Sequence, residues 1–161
     1  MALPKYLKFA DVEFKGEKIA DKHSVNITIE PQFTDVTIKH DYGDTPVEKV
    51  ISGYTGKVEV EVGLDTAETF KMTLPVDSTQ PDTITDCALG TLIEGGELII
   101  KPRGDDANQI GFFKAIPTGV YSRSFGEVSY NKITFELSVK DGADVTKAGN
   151  FFWRGTKPTP K

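Results

Sequence analysis

The sequence has few of the residues that build metal sites, redox centres and catalytic triads. It holds a single cysteine, Cys87, and only two histidines, His23 and His40. One cysteine excludes a disulfide within the chain, and no pair of these three residues has the spacing of a zinc site. His40 precedes Asp41, but no plausible nucleophile lies in a recognisable motif. We therefore expect no enzymatic activity, no bound metal and no cofactor.

Long apolar runs and an excess of positive charge are also missing. No stretch approaches the roughly 20 residues of a membrane span, and the opening residues, MALPKYLKFAD, lack the apolar core of a signal peptide. The chain carries 19 basic and 24 acidic residues, a net charge of −5. This balance argues against sequence-independent binding to nucleic-acid phosphates, which needs a basic surface. We expect a protein made in the cytoplasm with no membrane partner.

Alternating apolar and polar residues are the strongest pattern that is present. The stretch TGKVEVEV at 55–62 places three valines on one face of a strand and Lys57, Glu59 and Glu61 on the other, because successive side chains in a strand point to opposite faces. Residues 23–30 and 132–140 alternate in the same way. A chain of 161 residues fits a single domain with its own core. The pattern predicts a mainly β domain.

Turn and cap signals divide the chain between these strands. Pro31 is expected to end the strand at 23–30, since proline cannot donate to a ladder. Gly63 ends the strand at 55–62, and Asp65 with Glu68 three residues later predicts a capped helix over 65–72. Residues 41–54 contain two glycines and a proline, which predicts a long loop. This predicted loop also contains apolar residues that need a packing partner, and we expect another subunit to supply that partner. The residues expected to make the contact are Val47, Val50, Ile51 and Tyr54.

The last fifteen residues differ in composition from the rest of the chain. Residues 147–161 hold four basic residues and no acidic one, and they include the aromatic run Phe151, Phe152 and Trp153. An aromatic cluster near a terminus normally packs onto another surface. We predict two regions: a β domain over 1–146 and a basic aromatic C-terminal arm over 147–161 that contacts a neighbouring subunit.

Two other kinds of site, a pair of catalytic carboxylates and an aromatic platform for a ligand, each have candidate residues in the sequence. Glu59 and Glu61 lie on one face of a strand, and a pair of carboxylates can hydrolyse glycosides, but a solvated strand face is several times more common. Exposed aromatic residues on one sheet face would indicate a module that binds carbohydrate or another ligand. Tyr121, Phe125 and Tyr130 are the candidates for such a platform, although packing in the core or in turns explains each of them more simply.

Several spaced motifs resemble the major tail tube protein of long-tailed, non-contractile bacteriophages. They are TGKVEVEV at 55–62, GGELIIKP at 95–102, FFKAIPTG at 112–119 and KITFELSVKDG at 132–142. In that family a strand that ends in a basic residue and proline precedes an acidic loop, and a strand with a central Thr–Phe follows. The resemblance covers roughly residues 50–145.

The resemblance implies a two-sheet β-sandwich or partly closed barrel with one short flanking helix. It also implies a structural protein of the virion tail, assembled in the host bacterial cytoplasm, whose six-membered rings stack into a tube. Tape measure and terminator proteins would be its partners, and double-stranded DNA would pass through without specific binding. A terminator or baseplate ring protein of similar fold is the alternative. Side chains expected to face the lumen are Glu59, Glu61 and Glu136.

Overall fold

Strands are the main regular structure of the chain and account for 51% of it. A computed structural model describes residues 10–19, 24–37, 46–62, 66–103, 105–126 and 131–159. Within these ranges one helix, α1 (Ala67–Thr73), and a single turn of 3-10 helix at Asp106–Asn108 accompany the strands. The prediction of a mainly β fold with one short helix is confirmed. The ten strands are β1 (Ala10–Phe14), β2 (Glu17–Ile19), β3 (Val25–Thr37), β4 (Pro46–Val62), β5 (Val76–Asp77), β6 (Thr85–Asp86), β7 (Gly96–Pro102), β8 (Ile110–Pro117), β9 (Asn131–Ser138) and β10 (Phe152–Arg154).

Eight of the strands form one antiparallel sheet. Its order is β2-β1-β7-β8-β9-β4-β3, and β10 pairs with β8 outside this path. Strands β5 and β6 form a separate two-stranded sheet. Within the described residues the large sheet is open, with β2 at one edge and β3 at the other.

The large sheet curls so that it covers its own apolar face. The rings of Phe14 on β1 and Phe135 on β9 lie with their centroids 4.9 Å apart. These strands are three steps apart in the sheet, a separation of roughly 14 Å if the sheet were flat. The contact therefore requires the sheet to fold over. The core that results contains Val12, Val58, Leu98, Phe112 and Ile133, together with neighbouring apolar side chains.

The helix α1 begins one residue later than the sequence pattern indicates. Thr66, not Asp65, is its N-cap: the Thr66 side chain accepts from the backbone N–H of Thr69 at 3.2 Å. The backbone N–H of Thr66 donates to Oγ1 of Thr69 at 2.9 Å. The two threonines thus form a capping box between themselves. The predicted pair with Glu68 is wrong because Glu68 stands at the second helical position.

The predicted loop over 41–54 is wrong for its described part. Residues 46–54 belong to β4, which pairs with β3 from Val25 to Thr37; residues 41–45 lie outside the described part. Strand β3 also continues through Pro31, where a strand end was predicted. An edge strand tolerates proline because the missing N–H can face solvent. We call the outer part of this pair, residues 31–37 and 46–54, the distal hairpin.

Part of the predicted C-terminal arm over 147–161 belongs to the sheet, because Phe152–Arg154 form strand β10. Phe152, Trp153 and Arg154 pair with Phe112, Gly111 and Ile110 of β8. Strand β10 thus pairs with the first half of β8, along the side that β9 leaves unpaired, since β9 pairs only with Lys114 to Pro117. Phe151 and Trp153 are buried. The aromatic run therefore packs onto its own chain.

Candidate self-assembly surfaces

The distal hairpin carries an apolar stripe that no part of the described chain covers fully. Antiparallel partners point to the same side of a sheet, and the pairs Val25–Val60 and Ile27–Val58 face the core. The same side continues outward through Pro31–Tyr54 and Phe33–Ile51. Phe33 and Ile51 are 53% and 54% exposed. The core face of the sheet therefore extends beyond the core itself.

A β-bulge keeps this stripe continuous. The register shifts between Gln32 and Phe33, so that Gly53 pairs with Gln32 and Ile51 pairs with Phe33. Ser52 is the extra residue. Without it, Ser52 would face the apolar side and Ile51 the opposite side. The bulge thus places an isoleucine beside Phe33, and both remain accessible to a partner.

The outer end of the hairpin mixes apolar and charged side chains. Val36 and Val50 are exposed on the face opposite the stripe. Lys49 and Asp35 pair across the two strands, with Nζ 2.8 Å from Oδ1. Val47 lies in β4, but its side chain is outside the described part. Of the predicted contact residues in this segment, Val50, Ile51 and Tyr54 are thus accessible.

Aromatic side chains from the C-terminal strand support the base of the hairpin. The ring of Tyr54 stacks on Phe151 and meets Phe152 edge-on, each with centroids 5.8 Å apart. Phe152 remains partly exposed, whereas Phe151 and Trp153 are core residues, 5% and 6% exposed. Our prediction that all three make contacts between subunits is therefore corrected for Phe151 and Trp153. Burial against their own chain leaves them little surface for a neighbour.

The three glutamates predicted to face a lumen do share one surface. Glu59 and Glu61 on β4 and Glu136 on β9 point to the side opposite the core, where Glu136 pairs with Lys57 and Glu61 with Lys132. We call this side of β3, β4 and β9 the polar face. Its charged side chains are five glutamates and two lysines by the strand register: Glu30, Glu48, Glu59, Glu61, Glu136, Lys57 and Lys132.

Both lysines of the polar face are engaged by one carboxylate. Lys57 Nζ lies 3.0 Å and Lys132 Nζ 3.6 Å from the oxygens of Glu59. The hydrogen bond from Lys57 holds the pKa of Glu59 below its ordinary value; the charge of Lys132 acts in the same direction, and partial burial opposes it. Ser24 donates to Glu61 at 2.7 Å. The face is therefore polar and net negative, and its cations are already paired.

The aromatic platform required by a ligand-binding module is not formed by the described candidates. Tyr121 packs edge-on against Phe70 of α1, with ring centroids 4.7 Å apart. Phe125 is exposed in a loop, where the guanidinium of Arg123 lies 4.7 Å from its ring centre. Tyr130 lies outside the described part. The two described rings thus occupy a helix contact and a loop, not a sheet face.

An open cavity lies at the end of the sheet next to α1. Its volume is about 410 Å³. Apolar side chains line much of it: Phe14 from β1, Met72 from α1, Pro75 just after α1, Pro117 from β8, and Leu92 from the segment before β7. Cys87 also lines it. We call this feature the α1 cavity. Sequence patterns did not indicate it, because five separate parts of the chain contribute its walls.

The described residues contain no group of three or more His, Cys, Asp or Glu side chains placed to hold a metal ion. His23 and His40 lie outside the described part of the chain. Cys87 is half-buried. None of the helices in the described ranges is both long and apolar enough to span a bilayer.

No protein-family model and no curated protein matches this sequence. The two most informative surfaces are the apolar stripe of the distal hairpin and the polar face.

Proposed function

We propose that this protein is a structural subunit that assembles into stacked rings and forms the tail tube of a long-tailed bacteriophage. The exposed apolar stripe of the distal hairpin is the observation that carries this proposal. Monomeric proteins rarely expose contiguous apolar surface of this kind unless it has a binding role. The spaced motifs at 55–62, 95–102, 112–119 and 132–142 support the same function by their resemblance to tail tube proteins.

The two edges of the sheet support assembly in a second way. An edge strand presents unpaired backbone groups, and monomers usually protect such edges. Among the strands of the described ranges, β3 pairs only with β4 and is an edge along all of its 13 residues. Pairing of this edge with a neighbouring copy would join separate sheets into the wall of a ring. Six copies per ring is the number implied by the resemblance to tail tube proteins.

The polar face suits the inner wall of a conduit for double-stranded DNA. Five glutamates against two lysines leave it net negative, and the lysines are held by Glu59. Such a surface repels phosphates and offers few cations to bind them. Under this proposal DNA passes without being retained. Tape measure and terminator proteins are the other proposed partners, and the virion tail is the proposed location.

Electron microscopy of concentrated protein tests the proposal directly. We expect rings or tubes by negative staining, and we expect Phe33→Ser and Ile51→Ser to abolish them while the monomer stays as stable as the unaltered chain. Val145→Ser is the matched control, since Val145 is also exposed but belongs to the segment between β9 and β10, not to the hairpin.

The outcomes separate the possible roles. Stacked tubes support a tail tube subunit. Single rings that never stack would instead indicate a terminator or baseplate ring protein. A protein that stays monomeric at every concentration and salt tested would refute the proposal.

A further inference from the structure

Residues 151–157 lie along β8 as one continuous segment, which we call the C-terminal strap. The backbone N–H of Phe113 donates to the carbonyl of Phe151 at 3.3 Å, and the N–H of Gly155 donates to the carbonyl of Gln109 at 2.9 Å. Strand β10 pairs with β8 between these two contacts. Backbone hydrogen bonds therefore hold the strap along most of its length.

Polar side chains fasten the strap to two neighbouring parts of the chain. Nζ of Lys157 lies 2.6 Å from Oε2 of Glu97 on β7. Nη2 of Arg154 donates to Oδ1 of Asn108 at 3.2 Å. Ion pairs and polar contacts in such exposed positions contribute little free energy. They set the position of the strap, and its binding energy must come from its buried side chains.

The indole ring of Trp153 is the main anchor of the strap. It is 6% exposed and lies against the backbone of Gly111. Its Nε1 is buried and has no hydrogen-bond partner among the described residues. A buried N–H without a partner is unfavourable, so the ring is held by its flat apolar surface and not by its donor. The groove beside β8 therefore fits an extended peptide with an aromatic residue opposite Gly111.

The connection between β9 and the strap is a surface loop that closes on itself. The backbone N–H of Lys140 donates to the carbonyl of Asn150 at 2.9 Å. The side chain of Asn150 donates to the carbonyls of Asp144 and Lys147. Val145 in this loop is 91% exposed. The loop can therefore be opened without direct loss of the contacts between the strap and β8.

The first half of β8 is a strand edge that the strap covers. Strand β9 pairs only with Lys114 to Pro117, so on that side the strap is the neighbour of Ile110 to Phe113. Phe112 is fully buried, and Ile110 packs against the core. An uncovered edge of this kind pairs readily with strands of other chains.

We propose that the groove along residues 110–113 is a binding site for an extended peptide, and that the chain fills this site with its own strap. Occupancy by the strap keeps the edge of β8 from pairing with other chains. The recognised peptide runs antiparallel to β8, places an aromatic ring over Gly111 and carries basic residues one and four positions later. Strand addition at a sheet edge is a general mode of peptide recognition. The proposal concerns the single subunit and does not depend on rings or tubes.

A protein that is cut in the surface loop tests the site while keeping every residue of the chain. A protease recognition sequence inserted after Val145 lets the strap be severed, and a fluorescent peptide of residues 146–161 then competes for the groove. Brief incubation in mild urea before return to buffer releases a slowly dissociating strap. We expect the cut protein to bind the labelled peptide, measured by fluorescence anisotropy. Uncut protein should bind little, because its tethered strap has a high effective concentration.

Variants of the peptide measure what the groove recognises. Trp153→Ala should weaken binding by about 100-fold or more, since truncation of a buried tryptophan removes most of its packing. Trp153→Phe should weaken it by less than ~10-fold, because an aromatic ring remains and the unpaired N–H is removed. Thr159→Ala is the control, since Thr159 is exposed and lies outside the strap.

Sedimentation of the cut protein tests the protective role of the strap. Both samples carry Phe33→Ser and Ile51→Ser, so that assembly through the distal hairpin does not contribute. After the severed strap is washed out in mild urea, protein returned to buffer alone should associate as its concentration rises. Protein saturated with the peptide should stay monomeric. Equal association of the two samples would show that the strap does not protect the edge.

Three other results would overturn the binding site. They are absence of peptide binding by the cut protein, equal binding by cut and uncut protein, and equal binding of the native and Trp153→Ala peptides. Loss of the β-sheet signal in circular dichroism when the strap is removed would show that the groove does not exist without it, which also overturns the proposal. Each of these failures leaves the proposed function standing, since rings and tubes are not measured.

Discussion

Trp153 lies directly over the backbone of Gly111, its partner across the pair formed by β8 and β10. A Cβ built on Gly111 would stand 2.1 Å from Cε2 of the indole ring. Atoms cannot approach this closely, so only glycine allows the ring to lie flat on β8. The contact fixes the C-terminal strand to the sheet and explains why the aromatic run near the terminus is internal.

Gly111→Ala should therefore destabilise the protein. Overpacking of this kind typically costs ~1–3 kcal/mol, and the indole must move to relieve it. Urea denaturation should show a lower midpoint, and the emission of Trp153, the only tryptophan, should shift to the red. Gly53→Ala is the control, since a Cβ there has nothing within 4 Å. Equal midpoints for the two variants would contradict this account.

Thr66→Ala should weaken helix α1. The variant loses the side chain that accepts from the N–H of Thr69, and loss of an N-cap costs ~0.5–2 kcal/mol. Thr66→Ser keeps the oxygen and should retain most of the stability. Thermal or chemical denaturation of both variants measures the difference. If serine and alanine are equally destabilising, the capping bond is not the cause.

Lys57→Met should raise the pKa of Glu59. The hydrogen bond from Lys57 is the main cause that lowers this pKa below its ordinary value of 4.5. A carboxyl with a depressed pKa in the folded state contributes stability above its unfolded pKa, and that stability is lost as the pH falls through the folded pKa. We expect the acid-induced loss of stability due to Glu59 to become smaller in the variant.

A carboxyl-detected NMR titration of Glu59 measures this change. Lys71→Met is the control, because Lys71 pairs with Glu68 on α1 and does not contact Glu59. An unchanged titration of Glu59 in Lys57→Met, or an equal change in Lys71→Met, would show that the Lys57 contact does not set the pKa.

Reversing charge on the polar face should cause assembled protein to retain DNA. The double variant Glu61→Lys, Glu136→Lys adds two cations beside the lysines already present, and phosphate binding follows the number of such contacts. Co-sedimentation with double-stranded DNA should increase and should fall as salt is raised.

The control for this experiment is Glu68→Lys, a reversal on the exposed side of α1. It changes the total charge in the same direction but not the polar face. If both variants retain DNA equally, the effect is one of net charge, and the polar face does not line the lumen.

The alternation of residue types predicted the elements whose two faces differ most. Val58, Val60 and Val62 are buried, and Glu61 on the opposite face is exposed. The predicted strand over 132–140 corresponds to β9, Asn131–Ser138. These predictions succeed because a half-buried strand imposes a period of two on its own residues. The common surface of Glu59, Glu61 and Glu136 follows from that same period once β4 and β9 are neighbours.

The distal hairpin could not be recognised in this way. Both of its faces are largely exposed from Pro31 to Val36, so burial imposes no alternation there. Glycine and proline in 41–54 favoured a loop, but pairing with β3 and the bulge at Ser52 override these local preferences. The pairing of β10 with the sheet was missed for a related reason. Its partner strand, β8, lies some 40 residues earlier in the chain, and in the sequence only Gly111 indicates the space that Trp153 occupies.

By itself, the sequence determined a mainly β chain, the inner and outer faces of β4 and β9, and the presence of one short helix, since each depends on residues close together in the chain. Only the tertiary structure decided which strands are neighbours, which aromatic residues are internal, and that the apolar side of the β3–β4 pair extends beyond the core. Those features depend on pairing between distant segments, and register between strands is set by the packing of the whole sheet.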